Sequence, residues 1–131
     1  MVQLNPRELD VLNILWKSEE AMMATDIVNA GEGLTQSTVT AVLRKLLKDE
    51  LVEVVGITHS GRVLSRTYRP TENSREVILQ NFTYTYGCFS NVISESTLCA
   101  AILTDNKAPE KAKTEIKKLK SLLSEYEKNT K

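Results

Sequence analysis

The sequence contains few of the features that mark secreted, membrane and metal-binding proteins. Its 131 residues include only two cysteines, Cys88 and Cys99, too few for a disulfide framework and too sparse for a metal site. We therefore expect both thiols to be packing residues. No apolar run approaches the roughly 18 residues of a membrane-spanning helix, and the first residues lack the basic and apolar segments of a secretory signal. These absences predict a cytoplasmic protein without direct membrane insertion.

Residues typical of catalytic sites are equally scarce. The only histidine, His59, falls in a predicted turn, where we expect a solvated residue or a phosphate contact rather than a general base. The sequence has no Gly-rich phosphate loop and no recognisable nucleophile motif. It therefore predicts neither an enzyme nor a bound cofactor.

The charges sum to zero, but they are unevenly distributed along the chain. Residues 1–33 carry six acids and two bases, whereas residues 34–48 and 54–71 each carry three bases and no acid. Phosphate binding depends on which surface the cations share rather than on the overall sum. The two basic segments therefore indicate a surface suited to nucleic acid.

Three helices are predicted in the first 50 residues. Asn5-Pro6-Arg7-Glu8 predicts a helix start with a capping box, followed by an apolar face. That face comprises Leu9, Leu12, Ile14, Leu15 and Trp16. A short second helix over 24–31 has Thr25 as its expected cap, and a third extends from Gln36 to about Glu50. The expected buried stripe of the third helix comprises Val39, Leu43, Leu46 and Leu47.

A β-hairpin and further helices are predicted to follow. Residues 51–55 and 63–69 have the composition of two strands, and 59–62 reads as the turn between them. After Thr71 the pattern is helical. The last helix, from Glu110 to about Lys128, has apolar residues at heptad spacing. We expect this stripe and one earlier aromatic residue to form a dimer interface: Phe82, Ile116, Leu119, Leu123 and Tyr126. The alternative is that the stripe packs on its own chain.

The order helix, helix, helix, strand, strand is that of a winged helix-turn-helix, which presents its third helix to the major groove of DNA. The predicted fold is mostly α with a small β-hairpin. It divides into a winged-helix DNA-binding domain over 1–71 and a helical dimerisation domain over 72–131. The predicted DNA-binding residues are Thr35, Ser37, Thr38, Thr40, Ala41, Arg44 and Lys45, with Arg62 and Arg66 on the wing.

Several segments resemble the penicillinase-repressor family of bacterial transcriptional regulators. Residues 4–16 are similar to the first helix of that family, and 38–46 to its recognition helix. Residues 66–70 resemble the end of its wing, and 115–123 its last dimerisation helix. The resemblance covers nearly the whole chain and is most specific in the first 70 residues.

The resemblance implies a homodimeric repressor that binds double-stranded, palindromic operator DNA and controls β-lactamase, other resistance genes or metal-export genes. In antibiotic-responsive members a membrane sensor protease acts upstream and cuts the helix before the last one. That position matches Ala101-Ile102, which replaces the Asn-Phe pair of some members. Copper-responsive members carry a C-terminal Cys-x-Cys cluster. This chain has none, so copper sensing by that route is not expected.

Two alternatives fit the same pattern of elements. One is a winged-helix regulator that senses a small ligand, with Phe82, Tyr84, Tyr86 and Phe89 lining the pocket. The other is a winged-helix module that binds a protein partner through its third helix. Strong salt dependence of DNA binding distinguishes the leading prediction from a protein-binding module.

Overall fold

The chain forms six helices and a two-stranded antiparallel hairpin in a computed structural model that describes residues 2–105 and 108–130, with only the backbone of Ser60. The elements are α1 (Pro6–Lys17), α2 (Ala24–Ala30), α3 (Gln36–Lys48), β1 (Val52–Ser60), β2 (Val63–Pro70), α4 (Glu72–Gly87), α5 (Glu95–Thr104) and α6 (Pro109–Thr130). This arrangement confirms the predicted fold class.

The contacts divide the chain into two compact units, Met1–Thr85 and Tyr86–Lys131. The sequence had placed the start of the second domain at Glu72. In the structure, α4 stays with the first unit as far as Thr85 because its side chains bond to the N-terminal segment and to α1. Asn81 accepts a hydrogen bond from the Leu4 N–H at 2.9 Å, and Ser74 accepts one from the Trp16 indole at 3.0 Å.

The start of α1 confirms the predicted capping box. Asn5 Oδ1 accepts from the Glu8 N–H at 2.8 Å, and Glu8 Oε1 accepts from the Asn5 N–H at 2.9 Å. The buried face differs from the predicted one, because it includes Val11 and the Glu8 carboxylate, whereas Leu9, Ile14 and Trp16 are only half-buried.

The next two helices depart from the sequence analysis at their ends. Thr25 is not the cap of α2: it lies inside the first turn, and the Met23 N–H donates to the Asp26 carboxylate at 3.0 Å. Helix α3 ends at Lys48, earlier than expected, because Glu50 takes a left-handed conformation with φ of 61°. Its buried stripe contains Val42 where Leu47 was predicted.

One hydrophobic core lies in the first unit, between α1, α2, α3, the base of the hairpin and α4. Its buried apolar residues are Val11, Leu12, Leu15, Ile27, Leu34, Val39, Val42, Leu43, Leu46, Leu51, Val52 and Val77. Because this core holds one face of α3 inward, the opposite face of that helix is presented to solvent.

The hairpin is longer than the sequence predicted. Val52 pairs with Pro70 at its base and Ser60 with Val63 at its tip, leaving Gly61 and Arg62 as the turn. His59 is therefore a strand residue rather than a turn residue, because pairing continues past it. Gly61 has φ of 66°, which a glycine adopts without strain.

Met22 forms an isolated β-bridge beside the hairpin. Its N–H and carbonyl both bond to Tyr68 of β2, at 2.9 and 2.8 Å. This isolated bridge ties the loop between α1 and α2 to the base of the wing.

The second unit has no buried residue among those that the structure describes. Both cysteines lie in it, exposed and without a disulfide, so the expectation that they are packing residues was wrong. The physical reason is that α5 and α6 pack on each other without enclosing a core within the single chain.

Candidate nucleic-acid interface

Helix α3 is fixed at its N-terminus by Thr35. The Thr35 hydroxyl oxygen accepts from the Thr38 N–H at 3.2 Å and donates to the Thr38 hydroxyl at 2.9 Å. This cap satisfies one backbone donor of the first turn. The first turn of α3 contains no acidic residue, so its partial positive charge is not neutralised locally.

The outward face of α3 carries four residues at positions i, i+3, i+4 and i+7. Ser37, Thr40, Ala41 and Arg44 are all exposed, and this spacing places them along one side of the helix. They combine short hydroxyls, a methyl group and one long cation. Short side chains of this kind allow a helix to approach base edges closely, and the cation can reach a phosphate or a guanine.

The other two predicted residues of this helix make contacts within the protein. Thr38 is half-buried and bonds to Thr35. The ammonium of Lys45 bonds to the Glu8 carboxylate of α1, with Nζ 3.1 Å from Oε1 and 2.9 Å from Oε2. The hydrogen bond that Lys45 donates to Glu8 raises the pKa of Lys45 above its ordinary value, partly offset by desolvation.

Sequence reasoning identified Glu8 only as a helix-capping residue. Its pairing with Lys45 joins positions that are distant in the chain, so no local pattern could reveal it.

The hairpin, which forms the wing, carries two exposed arginines and a third arginine that is paired with an acid. Arg62 is exposed in the turn, and Arg66 is exposed on β2 opposite Ile57. Arg69, at the base of the hairpin, forms an ion pair with Glu53 across the two strands. The predicted wing contacts, Arg62 and Arg66, are therefore exposed on the hairpin, whereas Arg69 is paired with an acid.

The aromatic residues of the ligand-sensing alternative do not share one environment. Phe82 is exposed and lines a groove of about 440 Å³ between α1 and α4, where the Arg75 guanidinium lies 4.7 Å from the centroid of the Trp16 ring. Tyr84 and Phe89 are exposed. The Tyr86 hydroxyl donates to the Ile93 carbonyl at 2.8 Å, and burial, followed by the charges of Glu95 and Cys99, raises its pKa.

The predicted dimerisation residues of α6 are largely uncovered. Ile116, Leu123 and Tyr126 are exposed, and Leu119 is half-buried. Ala101 and Ile102, which the family resemblance predicts to match a cleavage site, are exposed on α5.

Neither a membrane-spanning helix nor a metal-binding cluster is found in the part of the chain that the structure describes. Within residues 2–105 and 108–130, no helix combines the length and apolar composition needed to cross a membrane. Over the same residues, no group of three or more His, Cys, Asp and Glu side chains is placed to hold a metal ion.

Known proteins share this sequence pattern and this architecture. The profile of a family described as penicillinase repressor matches residues 4–125. A MepR mutant of S. aureus, solved bound to an oligodeoxyribonucleotide, is similar with a TM-score of 0.52 at 18% identity, covering 94% of this chain and 80% of that chain. A second S. aureus MepR mutant, from a multidrug-resistant clinical isolate, has a TM-score of 0.51 at 16% identity, covering 95% and 80%.

A ZitR mutant from Lactococcus lactis has a TM-score of 0.50 at 22% identity, covering 95% of this chain and 77% of that chain. No curated protein sequence matches the chain. At these identities the solved structures establish the fold, and they confirm the winged-helix architecture predicted from the sequence.

Proposed function

The chain belongs to the penicillinase repressor family, and from this premise we propose that it represses transcription as a homodimer bound to a palindromic operator. The observation that carries the proposal is the exposed face of α3, on which Ser37, Thr40, Ala41 and Arg44 lie in line. The buried stripe on the other side holds that face outward. In a winged helix this is the surface that enters the major groove.

Each residue of this face has a chemical role in the proposed complex. Ser37 and Thr40 donate hydrogen bonds to phosphates or base edges, and Ala41 contacts a thymine methyl group. Arg44 binds a phosphate or a guanine edge. Thr35 and Thr38, which bond to each other, place the backbone amides of the first turn toward a phosphate.

The wing supplies a second contact with the DNA backbone. Arg62 at the turn and Arg66 on β2 are exposed cations on a hairpin that projects from the core. We assign them to phosphates or to the minor groove beside the groove that α3 occupies, because cations near DNA gain affinity by releasing counterions.

Dimerisation is supported by the apolar surface that the second unit leaves uncovered. Its large apolar residues with more than half of their surface exposed are Phe89, Val92, Ile102, Leu122, Leu123 and Tyr126. Burying apolar surface gains about 25 cal/mol per Å², and this unit has no core of its own among its described residues. A second copy of the same chain supplies a matching surface through the heptad stripe of α6.

A palindromic operator follows from the dimer. Each base contact provides only about 1–3 kcal/mol of discrimination. Two winged-helix domains joined by the dimer interface bind two half-sites, and their binding free energies add. A symmetric dimer places its heads on symmetric half-sites, which is the physical reason for the palindrome.

The family supports two further parts of the proposal. Its description as penicillinase repressor supports β-lactamase or other resistance genes as the regulated targets. A membrane sensor protease is the upstream partner that we propose, acting at the exposed Ala101–Ile102 segment of α5.

Gel-shift assays with the intergenic DNA upstream of the protein's own gene test the proposal. Purified protein is titrated at two salt concentrations into that fragment and into unrelated DNA of equal length. We expect a retarded band that favours the upstream fragment and weakens with salt, because bound phosphates release counterions. Equal binding to both fragments at every salt concentration contradicts the proposal and leaves the protein-binding module as the leading function.

Two single variants assign the interface to α3. We expect Arg44→Ala to weaken binding to the upstream fragment without lowering the melting temperature, because the side chain is exposed. Lys17→Ala, which removes an exposed cation at the end of α1, is the matched control and should bind as the wild type does. Unchanged binding by Arg44→Ala would move the interface away from this face.

A further inference from the structure

The Glu8 carboxylate is buried where an ionised group is costly. Only 1% of the residue is exposed, and it lies on the inner face of α1 beside core residues such as Val11 and Leu12. Removing a carboxylate from water carries a large penalty unless a cation and hydrogen bonds compensate. The compensation comes from the Asn5 N–H at 2.9 Å and from the Lys45 ammonium.

Lys45 is the only side chain that the structure, over its described residues, places on this carboxylate. Its Nζ lies 2.9 Å from Oε2, which has no hydrogen-bond partner besides this ionic contact. The capping box uses Oε1 for the backbone of Asn5, so the same carboxylate joins the first turn of α1 to the last turn of α3. Moving Lys45 away leaves a buried charge without its cation.

This geometry conflicts with a role for Lys45 as a phosphate contact. Lys45 is exposed to solvent, but its ammonium lies on the buried carboxylate, and any displacement toward a phosphate weakens the compensation of that charge. Arg44, the preceding residue, lies on the outward face with its guanidinium available to DNA. The two neighbouring cations therefore differ: Lys45 weakens an ion pair when it moves toward a phosphate, and Arg44 does not.

We propose that Lys45 and Glu8 are positioning residues, which fix the orientation of α3 against α1 so that its outward face meets the bases in register, and that Lys45 neutralises no phosphate. This inference rests on the proposed function, because it concerns how the recognition helix is held. A base contact depends on side-chain placement to within about 0.5 Å. The ion pair between α1 and the C-terminal half of α3 restricts rotation of α3, which would displace several DNA contacts at once.

A double variant separates the two roles of Lys45. Glu8→Gln keeps an oxygen for the capping bond and removes the buried charge, and Lys45→Met keeps the length of the stem and removes the cation. We expect Lys45→Met alone to lower the melting temperature, and Glu8→Gln together with Lys45→Met to restore most of the loss. The double variant therefore provides a folded protein without the cation.

The decisive measurements are dissociation constants of the double variant over a series of salt concentrations, with the upstream fragment and with unrelated DNA. We expect the slope of log K against log salt to equal that of the wild type, and the preference for the upstream fragment to fall about tenfold, the value of roughly one base contact. Arg44→Gln is the matched control, and it should make the slope shallower by about 1.8, because each dimer loses two cations and each neutralised phosphate accounts for about 0.9.

Two results would overturn the inference. A slope that is shallower by about 1.8 in the double variant, from the loss of two cations per dimer, means that each Lys45 neutralises a phosphate. An unchanged slope together with an unchanged preference means that the pair contributes only to stability. A wild-type protein without any preference for the upstream fragment contradicts the proposed function itself, and the positioning role with it, and is read independently of both results.

Discussion

Glu50 holds a backbone conformation that side chains with a Cβ avoid. Its φ of 61° lies in the left-handed region, directly after the end of α3. There the Glu50 N–H donates to the Leu47 carbonyl at 3.1 Å and the Leu51 N–H donates to the Leu46 carbonyl at 2.8 Å. These two bonds form a Schellman motif, in which glycine is the usual residue at this position. The left-handed conformation of Glu50 is strained, and it allows the chain to turn sharply from α3 into β1.

Glu50→Gly should therefore stabilise the protein. Relief of the left-handed strain is worth about 1–2 kcal/mol, and the greater freedom of glycine in the unfolded chain takes back about 0.5–1 kcal/mol. We expect the free energy of unfolding, measured by urea denaturation, to rise by about 0.5–1 kcal/mol. Asp49→Gly is the control: its φ of −85° carries no such strain, so it should not stabilise. A Glu50→Gly protein less stable than the wild type would refute this account.

Lys45 and Tyr86 predict a loss of stability in alkali. The Glu8 hydrogen bond raises the pKa of Lys45 above its ordinary 10.5, and burial raises that of Tyr86 above 10.0. A raised pKa means that the folded state holds the proton more tightly, so the stabilisation is complete below the ordinary value and lost as pH rises through the folded value. We expect the free energy of unfolding to fall from about pH 9 upward. Lys45→Met and Tyr86→Phe should each show a flatter fall, and parallel curves for all three proteins would contradict the assignment.

At the scale of elements, the start of α3 depends on one hydroxyl. Thr35 caps the helix through the Thr38 N–H, and helix caps of this type contribute about 1 kcal/mol. We expect Thr35→Ala to lower the free energy of unfolding by about 1 kcal/mol and to weaken DNA binding, because the first turn frays. Thr35→Ser keeps the hydroxyl and is the matched control. Equal stability of both variants would show that the cap contributes nothing.

Helix α4 is joined to the winged helix by side chains rather than by apolar contacts alone. Asn81 donates to the carbonyls of Val2 and Val77, both at 2.8 Å, and accepts from the Leu4 N–H. Ser74, which is fully buried, donates to the Thr71 carbonyl and accepts from the Trp16 indole. Since buried polar groups without partners are costly, these bonds make the first part of α4 an integral part of the reading head.

At the scale of the whole molecule, the proposed dimer depends on the apolar stripe of α6. Leu119→Glu places a charge in the centre of the proposed interface, where a buried unpaired charge is strongly unfavourable. We expect monomers by sedimentation equilibrium and poor binding to the upstream DNA fragment. Lys120→Glu, which introduces the same side chain at an exposed neighbouring position, should leave the dimer intact. A dimer that persists in Leu119→Glu would move the interface to another surface.

Local signals in the sequence determined most of the secondary structure. Asn5, Pro6 and Glu8 lie within one turn of each other, so their capping box forms from neighbours alone. The apolar spacing of α3 and α6 likewise depends only on positions a few residues apart, and it predicted both helices to within about two residues. The outward residues of α3 followed from the same periodicity, which is why the candidate interface was visible before the structure.

Only the tertiary structure decided the contacts between distant segments. The pairing of Lys45 with Glu8 and the bridge of Met22 to Tyr68 each join segments that no local pattern relates. The exposure of Cys88 and Cys99 has the same origin, because burial depends on what the rest of the chain places over a residue. Caps and helical faces are set by neighbouring residues, whereas buried ion pairs and cores depend on how the whole chain packs.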